Sequence, residues 1–308
     1  MGQWLSRALL GEGWSVTGAA LSRPEPGSVL SAEEIAMAHW VTTDMRREDD
    51  VARLLDQSRP DAVFHLAGVT FVPDAQGSPT DTFDVNALGA VRLLTELGRR
   101  RRADQVDPVI LIIGSGTQYG KHDPRELPLT ESAEQRPRDV YGASKAAQEI
   151  IALQNFRAEG LRVICTRSFN HSGRGHAPHF LLPALVQRAL AVRKEGGGVL
   201  RLGNQDSVRD YLHVTDVVRA YLLLAEHGSP GDVYNVCSGV GVSARELAAD
   251  VLLHVGSTAE ITTDPTLVRP VDIPALVGSP AKLQRATGWR AARTRAEIID
   301  DLIDAATH

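Results

Sequence analysis

Apolar runs of strand length alternate with helical stretches through the first half of the chain, and nothing else in the sequence constrains the fold as tightly. "SVTGAALSR" follows residues 3–11, where Trp4, Leu5, Ala8, Leu9 and Leu10 are spaced to bury one side of a helix. "DAVFHLAG" (61–68) follows the helical "RREDDVARLLDQ", and "PVILIIGSG" (108–116) follows "TDTFDVNALGAVRLLTELGRRRR". "LRVICTRSFN" (161–170) in turn follows "YGASKAAQEIIALQNFRAEG". These strands are apolar throughout, with one helix between each pair. Such strands belong in a parallel sheet covered on both faces. The second half is less regular. Helices are expected at "HFLLPALVQRALAVRKEG", "HVTDVVRAYLLLAEHG" and "SARELAADVLLHVG", short strands at "GVLRLGN", "DVYNVCSG" and "AEITTD", and two helices at the end.

Composition removes several functional classes. The 308 residues are 43% hydrophobic, enough for a sizeable core, and the net charge of −5 is the wrong sign for a nucleic-acid binder. No apolar stretch approaches the ~20 residues of a membrane helix, so no membrane partner is expected. Cys165 and Cys237 each lie within a strand-like run, apart from any His or Cys partner. That argues for reduced thiols in a cytoplasmic protein, with no disulfide framework and no metal.

Chemistry concentrates in "VYGASK". Tyr141 and Lys145 are four residues apart at the start of a helix, which puts both side chains on one face. A free tyrosine, with a pKa of about 10, is a poor acid near neutrality. A nearby ammonium is expected to lower that pKa and make the phenol a usable proton donor. Of the 33 basic residues only four are lysine, so a lysine at this place is notable in a chain that otherwise uses arginine. Ser115, at the end of "VILIIGS", adds a hydroxyl at the carboxyl end of a parallel strand, where ligands collect in such sheets.

With these residues in place the chain resembles, nearly end to end, the extended short-chain dehydrogenase/reductases, which include nucleotide-sugar epimerases, dehydratases and reductases. "VFHLAG" resembles the segment against the cofactor, Asn86 in "DVNALGA" the helix asparagine, and "SGTQYG" the segment with the catalytic hydroxyl. "YGASK" resembles the Tyr-x-x-x-Lys pair, and "RSFNHSGRGH" the segment that closes over the nicotinamide. The resemblance implies a Rossmann-type doubly wound α/β sheet with a smaller α/β substrate-binding domain. The dinucleotide-binding domain is expected at 1–168 with 206–236 returning to it, and the nucleotide-sugar domain at 169–205 and 237–308. It further implies Ser115, Tyr141 and Lys145 as catalytic residues. Cofactor contacts are expected from Gly2, Ser22, Arg23, Asp44, Met45, Leu66, Ala67, Gly68, Asn86, Phe169 and His171, together with Tyr141 and Lys145. Substrate contacts are expected from Thr70, Ser115, Thr117, Asn170, Arg188, Arg201, Arg209, Arg269 and Asp272, with Arg209 and Arg269 on the diphosphate. A homodimer through helices 81–100 and 141–158 is also implied, since both carry apolar residues on more than one side.

Gly2 aligns with the last glycine of the family's Gly-x-x-Gly-x-x-Gly, so the first strand and two glycines of the phosphate cradle are expected to be missing. A start codon assigned too late, or a shortened chain, is the expected reason. After the second strand, Ser22 and Arg23 favour the 2′-phosphate of NADP(H), with NAD(H) possible because Glu25 is near. Gly116 and Thr117 follow Ser115 where the dehydratases of this family carry an acid–base pair, and neither residue shuttles protons near neutrality. The second half resembles the GDP-mannose dehydratase and GDP-4-keto-6-deoxymannose reductase branch. The reading is therefore a reductase delivering hydride to C4 of a GDP-linked 4-keto-6-deoxy sugar. A nucleotide-sugar 4-epimerase with the same triad, and a non-catalytic Rossmann-type binding module, are the alternatives.

Overall fold

The structure, a computed structural model, describes residues 1–268 and 273–307. Its strands are β1 (Thr17–Ala20), β2 (His39–Thr42), β3 (Ala62–His65), β4 (Val109–Ser115), β5 (Arg162–Ser168) and β6 (Asn170–Ser172). The remainder are β7 (Val199–Leu202), β8 (Val208–His213), β9 (Val233–Val236), β10 (Gly241–Ser243), β11 (Glu260–Thr263) and β12 (Ala275–Leu276).

The parallel strands expected from the apolar runs are present, in the order β3-β4-β5-β9. Ile110, Leu111, Ile112, Val163 and Ile164 are at most 1% exposed, because helices cover both faces of this sheet. One cluster, with Leu93, Leu94 and Leu97 over Ile110 and Val163, fills one face. Another, with Val217, Tyr221 and Leu224 over Leu111 and Ile164, fills the opposite face. β1 and β2 pair with each other in a separate two-stranded sheet. The parallel strands are thus divided between the pair β1-β2 and the sheet β3-β4-β5-β9.

The remaining strands form smaller sheets. β8 lies between β10 and β12 and also pairs β6, while β7 pairs β11. A distinct core, including Leu182, Leu185, Leu200, Leu247, Val251 and Ile299, packs beneath them. The chain returns to the large sheet with helix Val214–His227 and β9, after β8, which is hydrogen-bonded to β6, β10 and β12. The helical run expected from 80 to 102 is continuous from Pro79 to Arg102 but contains one π-turn, Asp84–Leu88, which carries the fully buried Asn86.

Candidate active site

β4 ends at Ser115, and the chain turns at once into a 3₁₀ turn, Gly116–Tyr119. Ser115 caps this turn: the Thr117 N–H donates to its Oγ at 3.3 Å, and the Thr117 hydroxyl lies 2.9 Å away. The Ser115 N–H donates to Gln118 Oε1 at 2.7 Å. Beside it begins helix Val140–Glu159, capped by Asp139, whose Oδ1 accepts from the Gly142 N–H at 2.7 Å. A Cβ on Gly142 would stand 2.9 Å from the Thr117 carbonyl oxygen, so glycine lets the first helical turn close against the Ser115 turn. This approach sets the Tyr141 phenol near enough to Ser115 for the serine hydroxyl to act on its ionisation.

One expectation is corrected here. Burial raises the Tyr141 phenol to about 12, with the neighbouring Ser115 hydroxyl acting against the rise. The ammonium expected to lower it is engaged elsewhere: Lys145 Nζ donates to the Ile113 carbonyl and to Gln148 Oε1, each at 2.9 Å. Lys145 is 3% exposed, and burial lowers its pKa to about 8. At neutral pH the site therefore holds a protonated phenol and a charged ammonium.

Gly68 stands next to this pair. A Cβ there would come within 2.8 Å of Asn86 Oδ1 and 3.4 Å of Lys145 Nζ. Both ends of the Asn86 amide are used within the protein. Oδ1 accepts from Val69 N at 2.7 Å, while Nδ2 donates to Val69 O at 3.1 Å and to Ser144 Oγ at 2.9 Å. Asn86 thus braces the turn after β3 against the Tyr141 helix. Leu66 and Ala67 pack into the clusters on opposite faces of the sheet. Phe169 is 3% exposed, and its ring packs with Tyr119 and Leu276 against Gly116, beneath the Ser115 turn. His171, on β6, is lowered to about 4, chiefly by burial and slightly by the chain's amino terminus. Gly2 opens helix Gly2–Gly11, which Trp4 ties to the loop after β6 through a 2.9 Å bond to the Arg174 carbonyl.

Ser22 and Arg23 are exposed after β1 and, with Trp40 and Thr42, line a cavity of about 460 Å³. Asp44 and Met45 follow β2. Arg46 holds the Asp44 carboxyl down to about 2, and Met45 is buried against Gly89. Of the substrate candidates, Thr70 is exposed after β3, and Asn170 lies opposite Tyr211 in the β6–β8 pair. Arg188 donates to the Arg201 carbonyl at 3.2 Å, and the Asp264 carboxyl is lowered chiefly by hydrogen bonds from Thr266, with Arg201 and Arg188 adding to it. Arg209 Nη1 donates to the Val208 and Ile273 carbonyls at 2.9 and 2.7 Å. Arg269 and Asp272 lie outside the described residues.

Sequence reading missed the polar assembly beneath Ser115. Gln118 Nε2 donates to Glu149 Oε2 at 3.0 Å and to Gln135 Oε1 at 3.1 Å. Arg167 on β5 forms a two-point ion pair with Glu149, at 2.9 Å from Nε and 2.7 Å from Nη2. Glu149 sits four residues after Lys145, a helical spacing that was the available signal.

Parallel strands of this order, with a tyrosine and a lysine one turn apart on the helix packed beside a strand-end serine, define the NAD(P)-dependent short-chain dehydrogenase/reductases. Within that class, a family model described as GDP-mannose 4,6 dehydratase matches residues 1–302, and the chain belongs to this family. It is 40% identical over 234 residues to GDP-6-deoxy-D-mannose reductase of Pseudomonas aeruginosa, covering 75% of each chain. It is 30% identical over 250 residues to GDP-6-deoxy-D-talose 4-dehydrogenase of Aggregatibacter actinomycetemcomitans, covering 80% of each. Among solved structures, RMD from Pseudomonas aeruginosa complexed with NADPH superposes with a TM-score of 0.79 at 35% identity, covering 88% of this chain and 91% of that one. The Thermus thermophilus UDP-glucose 4-epimerase complexed with NAD superposes with a TM-score of 0.85 at 27% identity, covering 99% and 94%.

Proposed function

We propose that this protein reduces the 4-keto group of a GDP-linked 4-keto-6-deoxy sugar with NADPH as the reductant. The observation that carries the reading is the pair formed by Ser115 and a phenol held protonated well above neutral pH, with Gly116 and Thr117 directly behind it. That arrangement donates a proton to a carbonyl oxygen but lacks the acid–base pair that removal of water from a hexose requires. Similarity to GDP-6-deoxy-D-mannose reductase supports the same choice and the GDP-linked substrate.

The residues present fit the dinucleotide. Gly68, lacking a Cβ, lets Asn86 and Lys145 close against the turn after β3, and Arg23 with Ser22 offers charge and a hydroxyl for a 2′-phosphate. When bound, the reduced nicotinamide supplies the hydride. Ser115 hydrogen-bonds the substrate carbonyl oxygen, Tyr141 delivers its phenolic proton there, and the Lys145 charge favours the phenolate left behind. Met45, Asp44, Leu66, Ala67, His171 and the Gly2 helix belong to the cofactor side of this reading. Thr70, Thr117, Asn170, Arg188, Arg201, Arg209, Arg269 and Asp272 belong to the substrate side, with the arginines suited to a diphosphate.

We also assign residues 1–168, with 206–236 returning to them, to dinucleotide binding, and 169–205 with 237–308 to the nucleotide sugar. The separate core around Leu185 and Val251 supports that division. Association as a homodimer through the Gly89–Arg102 and Val140–Glu159 helices is supported by exposed Leu88 (47%) just ahead of the first and Ile150 (64%) on the second. The two buried, unpaired cysteines support a reducing, cytoplasmic setting. Among the described residues no helix is long and apolar enough to cross a membrane.

The test is NADPH oxidation, followed by absorbance, with GDP-4-keto-6-deoxymannose as substrate. One NADPH consumed per sugar reduced is the expected result. Turnover of a GDP- or UDP-hexose without added reductant, with NAD retained through purification, would instead identify a 4-epimerase.

A further inference from the structure

Lys145 presents an unusual electrostatic situation. Its ammonium is buried at 3% exposure, and among the described ion pairs no carboxylate neutralises it. Two neutral oxygens take its place, the Ile113 carbonyl on β4 and Gln148 Oε1 on Lys145's own helix, each 2.9 Å from Nζ. Gln148 is itself fully buried, and its Nε2 has no hydrogen-bond partner. A buried amide with one end unsatisfied is costly. Reversing it would aim an NH₂ group at an NH₃⁺ group, so the ammonium dictates the orientation that is adopted. The other side chains around Lys145 supply no counter-charge. His65 on β3 is kept neutral by burial, with its pKa lowered to about 3. Tyr141 is protonated, and Glu149, one residue beyond Gln148, is committed to Arg167 from β5.

We infer that Gln148 is a positioning residue: its carboxamide oxygen, together with the Ile113 carbonyl, holds the Lys145 ammonium in place beside Gly68 and Tyr141. Helical geometry makes this natural, since residues 141, 145 and 148 share one face at i, i+4 and i+7. Two of the three ammonium hydrogens are thereby fixed, which aims the third away from both acceptors. The oxygen also stabilises the charged form, so its removal makes Lys145 lose its proton at lower pH. The inference deepens the proposed function, since it assigns a support to the lysine on which that reading relies.

The experiment uses Gln148→Met, close in volume but without an acceptor oxygen, and Gln148→Glu, which keeps the oxygen and adds charge. With only four lysines in the chain, the Lys145 side-chain signals can be assigned by isotope-edited NMR and titrated directly, independent of any turnover. The expected result is a Lys145 midpoint lowered by about one pH unit in Gln148→Met and raised in Gln148→Glu. The basic limb of the kcat profile should move the same way while KM for the sugar is unchanged. A wild-type midpoint in both variants would overturn the inference, as would a lowered melting temperature with no change in titration. If Gln148→Met does not fold, the direction of the Gln148→Glu shift decides: upward supports the inference, and no shift refutes it. If the midpoint moves while the rate profile does not, the positioning role stands and the catalytic reading of Lys145 fails.

Discussion

Removing the Glu149 carboxylate should unfold this protein more readily than any exposed charge change. Glu149 is buried and accepts four hydrogen bonds: from Gln118 at 3.0 Å, Gln135 at 2.6 Å, and Arg167 at 2.9 and 2.7 Å. In Glu149→Ala the Arg167 guanidinium, with a side chain 6% exposed, keeps its charge but loses its only anion among the described ion pairs. Breaking a buried pair from one side costs about 3–5 kcal/mol, because the remaining ion has been removed from water without compensation. At the roughly 2 °C per kcal/mol that suits a long chain, the melting temperature should fall by about 6–10 °C. Gln118 also loses an anchor, and with it the support for its bond to the Ser115 N–H, so kcat should fall more than KM rises. The assay is urea unfolding followed by fluorescence, with thermal melting alongside. Glu149→Ala combined with Arg167→Met should be less destabilised than the sum of the singles, since no unpaired charge remains. A loss below about 1 kcal/mol in Glu149→Ala, or strict additivity in the cycle, would refute the reasoning.

Tyr141→Phe should lower kcat by about 10²- to 10⁴-fold with the fold intact, the usual range for loss of a general acid, and steady-state NADPH oxidation with circular dichroism checks both parts. Burial places Lys145 at about 8 and Tyr141 at about 12, so the reacting charge state is present below about pH 8 and is lost above it. The rate should therefore decline on a single basic limb near 8, and Lys145→Arg should abolish that limb; a limb that persists in the variant refutes the assignment. His65, His171 and His176 are lowered to about 3, 4 and 3 by burial. As pH falls below 6.5 the unfolded chain binds these protons first, so stability should decline between pH 6.5 and about 3. His65→Asn should flatten that slope in urea midpoints. Finally, Ile150→Asp should convert a dimer to a monomer in sedimentation; an unchanged mass would remove the proposed helical interface.

Periodicity along the chain was enough to read the parallel sheet. A strand covered on both faces must be apolar throughout, and "VILII" and "RVICT" carry that requirement in their own residues. Tyr141 and Lys145 were legible for a similar reason, because helical geometry makes residues four apart neighbours. What each of these groups touches was not legible. The pKa of the phenol follows from burial and from Ser115, 26 positions earlier in the sequence, and the lysine bonds to Ile113 and Gln148 with no counter-charge among the described ion pairs. Asn86 and Phe169 were found by their neighbours in sequence, but that one braces a turn and the other packs under Gly116 was not legible, since contacts depend on the direction a side chain takes. The same holds for β8, whose strand character is local but whose partners β6, β10 and β12 come from distant segments. Local sequence determined which residues form strands and helices, because repeat and capping act within a few residues. Only tertiary packing decided their charge states, partners and exposure, because desolvation and pairing are set by atoms brought together from across the chain.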